Sequence, residues 1–295
     1  IDTENTTWEF GYRYGYNETD PGQGCDRDEG THSLSASMLY DLTESSNIMV
    51  ALSSSERAPT LEERYSNVET STCAVSTDPE DLVAHVATGR LEIGNADLDK
   101  EKANNIEVEF RQHRGKVTGA FSVYYNEIAD YIFLQDNGEF EEQIISNYVA
   151  NDATFYGVEG RLDYEAMQSE YGELDLSIQG DLVKASFDDG GDVPRIPPAR
   201  LGVGVTWHAN VWSVNLNLTE VFDQEDTAVG EFETDGYTAL DLYADYHINL
   251  ASGELLLFAK GSNLLDEEIR NHTSFLKNFS PEAGRGVRLG LRYTY

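Results

Sequence analysis

The final ten residues alternate without a break. Val287, Leu289, Leu291, Tyr293 and Tyr295 are apolar or aromatic, and Arg288, Gly290, Arg292 and Thr294 separate them. A period of two is the signature of a strand with one greasy and one polar face. The chain opens the same way, with Trp8, Phe10, Tyr12, Tyr14 and Tyr16 at successive even positions and polar residues or glycine between. Similar runs occupy residues 34–42, 48–52, 106–110, 117–125, 156–164, 174–182, 201–207, 212–218, 240–248 and 255–261, for twelve predicted strands in all. In the eleventh of these, Leu256 and Phe258 blur the two faces.

The spacing between the strands alternates. Short connections are expected near residues 43–46, 113–116, 165–171, 208–210 and 249–253. Long polar ones are expected near 17–31, 56–104, 134–150, 187–197, 222–236 and 263–285. This is the up-and-down pattern of a transmembrane antiparallel β-barrel, with tight turns on one side and long loops on the other. A water-soluble sandwich gives shorter strands and no side-specific loop lengths. It also rarely tolerates a structureless stretch as long as residues 56–104. An even strand count places both termini at the short-turn side.

Composition agrees. No run of 18 apolar residues occurs, so transmembrane helices are excluded. Tyr (17) and Phe (12) are abundant and Pro (7) is scarce, as suits a large β-protein. The formal charge of −34 argues against nucleic acid as a partner, since its phosphates would be repelled. Such acidity keeps a surface soluble or makes a vestibule that gathers cations. The two cysteines, Cys25 and Cys73, fall in the first and second long loops, where an exported protein would oxidise them to a disulfide. A first residue other than Met, Ile1, reads as a processing or cloning boundary.

Three internal stretches carry a family likeness. Ser55-Glu56-Arg57-Ala58-Pro59-Thr60-Leu61-Glu62-Glu63-Arg64-Tyr65 resembles the "RAPT-LEE-Y" segment of TonB-dependent outer-membrane receptors, the energised uptake gates of Gram-negative bacteria. Gly94 to Asn105 resembles that family's "GN-x-DL-x-x-E-x-x-x-N" lead-in to a strand, and Gly261-Ser262-Asn263-Leu264-Leu265-Asp266 its "G-x-NLLD" exit. The terminal strand, through Val287, Leu289, Leu291, Tyr293 and Tyr295, resembles the signal read by the barrel-assembly machinery, although the family usually ends in Phe or Trp. The resemblance implies a 22-strand barrel, an N-terminal plug and a TonB-contacting box. Residues 1–295 would then be the C-terminal part of such a receptor, with about twelve strands present and the plug and N-terminal strands absent. An open twelve-strand sheet would leave two unpaired edges in lipid, which agrees. The alternatives are a self-contained small barrel, such as a porin, autotransporter domain or outer-membrane phospholipase, and a soluble secreted acidic binding module.

The resemblance implies uptake of a scarce nutrient, a metal ion such as zinc or a metal chelate, with energy from the TonB complex acting through the plug. Outer-membrane lipid would surround the barrel. Asn271 to Lys277 resembles a stretch of the receptor branch that includes zinc-uptake members. It makes His272 a candidate zinc contact, with His85 and carboxylates of the second long loop as helpers. The alternative is a packed or hydrogen-bonded His272. Asp188, Asp189 and Asp192 are candidates for calcium or for a solvated loop tip. His32, His113, His208 and His247 read as structural, at strand ends or on the lumen side. No resident cofactor is required. No Gly-rich phosphate loop, HExxH or CxxC occurs, and an enzyme is not expected.

Overall fold

The alternating segments pair as one antiparallel meander in the computed structural model, which describes residues 1–22, 25–69, 71–75 and 78–295. In chain order the elements are β1 (Thr6–Thr19), β2 (Arg27–Thr43), β3 (Ser46–Arg57), α1 (Leu61–Tyr65), β4 (Val68–Glu69), β5 (Ala74–Val75) and β6 (Leu91–Ile93). They continue as β7 (Glu101–Gln112), β8 (Val117–Phe140), β9 (Gln143–Ser169), β10 (Gly172–Phe187) and β11 (Arg200–His208). The last four are β12 (Trp212–Val221), β13 (Tyr237–Leu250), β14 (Gly253–Ser262) and β15 (Gly286–Thr294). The sheet runs β1-β2-β3-β7-β8-β9-β10-β11-β12-β13-β14-β15, which are the twelve strands the alternation predicts. Among the described residues, β1 and β15 each pair on one side only, so the curved sheet is a partial barrel.

Register carries each face across the sheet. Met38, Val50, Val108, Val123, Val158 and Leu182 stand opposite one another from β2 to β10. Leu176, Val205, Leu216 and Leu242 continue that face. A second row, Glu109, Ser122, Glu159, Asp181 and Arg200, runs along the opposite face. Among the described residues no second layer covers the apolar side: Val203 is 45% exposed and Leu289 76%. So large an uncovered apolar band is stable only with hydrocarbon against it. Leu256 and Phe258, whose side the sequence left blurred, lie opposite Arg292 and Gly290 on the polar face. A β-carbon at Gly290 would run into the Phe258 ring, so this glycine makes room for an aromatic side chain inside the barrel.

Three loop expectations need correction. The connection near 134–150 is a continuation of β8 and β9, closed by a two-residue turn at Glu141 (φ 48°) and Glu142 (φ 67°). The alternation fades there because both faces are covered, and consecutive Ile132, Phe133 and Leu134 are all buried. Into the expected first long loop, β1 extends as far as Thr19 and β2 starts at Arg27. The described residues of the 56–104 stretch include α1, the β4–β5 pair and β6, which runs parallel to β9 from Leu91↔Ile145 to Ile93↔Asn147.

The quoted motifs hold this segment. Thr60 and Glu63 form a reciprocal capping box on α1, and Glu63 also takes both terminal nitrogens of Arg57 at 2.8 and 3.0 Å. Arg64, 1% exposed, reaches Glu29 of β2 at 2.5 Å and the Leu98 carbonyl at 2.9 Å. Asn95 donates its N–H to the Glu63 carbonyl at 2.9 Å, so the second motif lies against the first. Cys25 and Cys73 form the expected disulfide, with Cα atoms 5.6 Å apart, and Tyr65 donates to the Cys25 carbonyl at 2.5 Å.

Two outcomes follow. Single-cysteine nitroxide labels at positions 203, 216 and 289 of the full-length receptor in bilayers should be broadened by lipid-soluble relaxants and shielded from aqueous ones; the reverse pattern contradicts the lipid-facing assignment. Replacing Cys25 and Cys73 together by Ser should lower the local unfolding free energy of the first two long-side loops by up to about 4 kcal/mol, from the 48-residue separation closed. Protease cleavage confined to those loops reads that change.

Candidate functional site

At the long-loop end, four connections and the β8–β9 extension enclose a cavity of about 460 Å³. Phe133 of the extension, Arg195 of the 188–199 connection, Phe232 of the 222–236 connection and Phe275 of the 263–285 connection form its walls, together with Arg90. Local packing fixes each piece. Val193, fully buried, anchors the 188–199 connection against Ala153 and Ala185, with Tyr131 and Phe187 around it. That anchor presents Arg195 in a left-handed conformation (φ 61°). The 222–236 connection is closed by paired backbone bonds between Gln224 and Thr234, at 2.9 and 3.2 Å. Gln224 also donates to the Ile196 carbonyl at 2.9 Å, joining two connections.

Two guanidinium groups face Phe275: Arg195 at 4.1 Å from the ring centroid and Arg90 at 5.5 Å. Arg90 is neutralised by Asp136 and held by Ser146 Oγ at 2.9 Å. The Arg195 side chain has no hydrogen bond or ion pair to any described residue. Burial pushes its pKa below the usual arginine value, yet arginine stays protonated. A desolvated, unpaired cation over an aromatic ring is a ready anion contact.

Glu231 lies beneath. Its carboxylate accepts the Arg195 N–H at 3.0 and 3.1 Å, the Ala228 N–H at 3.2 Å and the Lys277 ammonium at 2.8 Å, and lies 3.3 Å from His272 Nε2. Burial opposes its ionisation, but the bonds from His272, Lys277 and the Arg195 N–H outweigh that and hold its pKa down to about 2. Burial lowers the Lys277 pKa in turn.

The structure places His272 in this network, 1% exposed, with Nδ1 2.8 Å from Thr234 Oγ1. His85 has separate partners, Glu62 at 3.1 Å, Thr88 at 3.3 Å and the buried Glu92 at 3.4 Å. Asp188 and Asp189 accept from Thr154 and Asn151, each from its own donor. Among the described residues, no group of three or more His, Cys, Asp or Glu is arranged to hold a metal ion. His32 stands beside Tyr12 and Tyr14 on the aromatic side of β1 and β2. Val287, Leu289 and Leu291 project from the free edge strand β15, and Tyr293 donates to the Ser252 carbonyl at 3.0 Å; Tyr295 is fully exposed. Arg90, Arg195 and Glu231 escaped the sequence reading, because four connections distant in sequence have to meet before their roles exist. The one available signal was Phe275 and Lys277, inside the stretch quoted around His272.

The sign of the pH dependence follows from Glu231. Its folded pKa of about 2 lies below the ordinary 4.5, so its stabilisation is present above about pH 4.5 and lost as pH falls toward 2. Exchange protection of the Arg195 amide, corrected for its intrinsic rate, should therefore hold down to about pH 4.5 and collapse toward pH 2; constant protection across that window contradicts the assignment.

Comparison with known proteins gives the family. The model described as "TonB dependent receptor-like, beta-barrel" matches residues 1–264. Among solved structures, the copper transporter OprC superposes with a TM-score of 0.76 at 18% identity, covering 100% of this chain and 46% of that one. The FrpB iron transporter from Neisseria meningitidis (F3-3 variant) gives 0.69 at 16%, covering 99% and 42%. The siderophore receptor PirA from Acinetobacter baumannii gives 0.67 at 15%, covering 99% and 44%. The chain thus spans less than half the length of each of these neighbours, and at such identities the likeness is one of fold. By its family match and by its lipid-facing meander, the chain belongs to the TonB-dependent receptors, as part of their β-barrel in the Gram-negative outer membrane.

Proposed function

We propose that residues 1–295 are the C-terminal part of an uptake receptor whose plug and remaining strands lie outside this chain, and that the receptor imports a metal as an anionic chelate. The unpaired Arg195 guanidinium over Phe275 carries this reading. The cavity lining carries Arg90, Arg195 and Lys277 against Asp136, Asp189, Asp192 and Glu231, so the positive character is local to the Arg195 guanidinium, which has no carboxylate paired with it among the described residues. An anion gains at that guanidinium only by direct contact with it, since the surrounding charge of the chain is acidic. An aromatic chelate also has flat apolar faces for Phe133, Phe232 and Phe275. The neighbours named for copper, iron and siderophores support a metal-bearing cargo. Energy would come from the TonB complex acting on the plug, and β15 would present the insertion signal to the barrel-assembly machinery.

Free zinc is the second reading, favoured by the acidic surface and by the likeness of the stretch around His272 to zinc-uptake receptors. The two readings separate in one experiment on the full-length receptor, with iron(III) tris-catecholate and Zn²⁺ as probes. Arg195→Ala should weaken binding of the iron complex about tenfold, the worth of a desolvated cation–π and charge contact, and leave zinc uptake unchanged. Equal binding of the iron complex by both proteins removes the chelate reading. Slower zinc uptake by His272→Ala, alongside that result, would establish the zinc one. Uptake that persists after the inner membrane is de-energised would indicate a passive pore.

A further inference from the structure

The Glu231 carboxylate touches three of the cavity's connections. Its own turn supplies the Ala228 N–H at 3.2 Å, the 188–199 connection supplies the Arg195 N–H, and the 263–285 connection supplies Lys277 and His272. Both carboxylate oxygens are thus occupied by protein donors and neither is left for a ligand. The Arg195 main chain is the strained member of the set, since φ 61° lies in the left-handed region that a residue with a β-carbon rarely adopts. Its N–H is bonded to both oxygens of Glu231, at 3.0 and 3.1 Å. The same carboxylate engages Lys277, two residues from Phe275, the ring under the Arg195 guanidinium.

We propose that Glu231 is the positioning residue of the external cavity: it fixes the Arg195 backbone and the Phe275 turn relative to one another, and so sets how strongly the cavity holds an anion without contacting that anion. This rests on the cavity being the ligand site. A carboxamide in place of the carboxylate keeps the shape but has only one accepting oxygen. The Lys277 ammonium and the Arg195 N–H then compete for it. Arg195 is released toward ordinary negative φ, and its guanidinium leaves the ring.

The test is a double-variant cycle on the full-length receptor in detergent, with iron(III) tris-catecholate as probe. Glu231→Gln alone should weaken binding about tenfold, comparable to loss of the Arg195 contact itself. In the Arg195→Ala background the same change should cost no more than about twofold, because a residue acting through Arg195 has nothing left to act on. A full tenfold loss in both backgrounds would overturn the proposal, since it would mean that Glu231 acts on the loops at large. Hydrogen exchange supplies a readout that needs no ligand. Glu231→Gln should speed exchange at the Arg195 amide while the strand amides of β10 to β13 keep theirs, and unchanged exchange at Arg195 overturns the proposal as well. If the unaltered receptor fails to bind the probe, or Arg195→Ala binds it equally well, the cavity reading falls and the exchange measurement alone decides whether Glu231 positions Arg195.

Discussion

Within hydrocarbon a peptide N–H or C=O has no water to fall back on, so every one must find a partner in the protein. For extended chain that means a neighbouring strand on each side. The twelve-strand meander is one continuous answer to that demand, with each register pair keeping greasy positions on the lipid side and polar ones within. The demand is not met at β1 and β15, which pair on one side only among the described residues. The proposal that the chain is part of a larger barrel rests on this as much as on the length of its neighbours.

Above the bilayer the constraint relaxes, and the physics of soluble proteins returns. There the chain builds small cores around Val193 and around Cys25 and Tyr65, a capped five-residue helix, a disulfide and a buried arginine. The motifs that mark the family do mechanical work here. Arg57, Glu63 and Arg64 bind α1 to β2 and β7. Asn263, buried with φ 47°, folds the chain back after β14, with its side chain bonded to the Glu267 N–H at 3.0 Å and the Glu267 carbonyl at 2.9 Å. Such segments hold the connections in place, and the cavity forms where those connections converge.

The cavity brings three cations together with four carboxylates, and one of those cations has no ion-pair partner among the described residues. Removing arginine and lysine from water is costly, and an acidic protein has ample carboxylates to quench them. Arg90 is quenched by Asp136 and Lys277 by Glu231, while Arg195 is left facing a ring. The asymmetry comes from connectivity. Glu231 is saturated by two backbone N–H groups and two side chains, and Asp136 is engaged by Arg90 and Ser146.

The strand set was legible in the sequence because a two-residue period facing lipid is a strict code. A slip of one residue would turn Val203 or Leu289 toward the lumen, so their positions are written into the chain itself. The disulfide was legible for a similar reason: the loop-length pattern put Cys25 and Cys73 at the same end. The code failed where its cause failed. Ile132, Phe133 and Leu134 are all buried, so their alternation disappears and β8 and β9 looked shorter than they are. The cavity was beyond reach for a different reason. Arg90, Arg195, Glu231 and Phe275 lie in four separate connections, and no local pattern couples them. The sequence by itself determined the membrane-crossing sheet, since lipid imposes one periodic rule on each strand separately. Only the tertiary structure decided which loop side chains meet and which cation stays unpaired, because those outcomes depend on contacts between residues that the chain order keeps far apart.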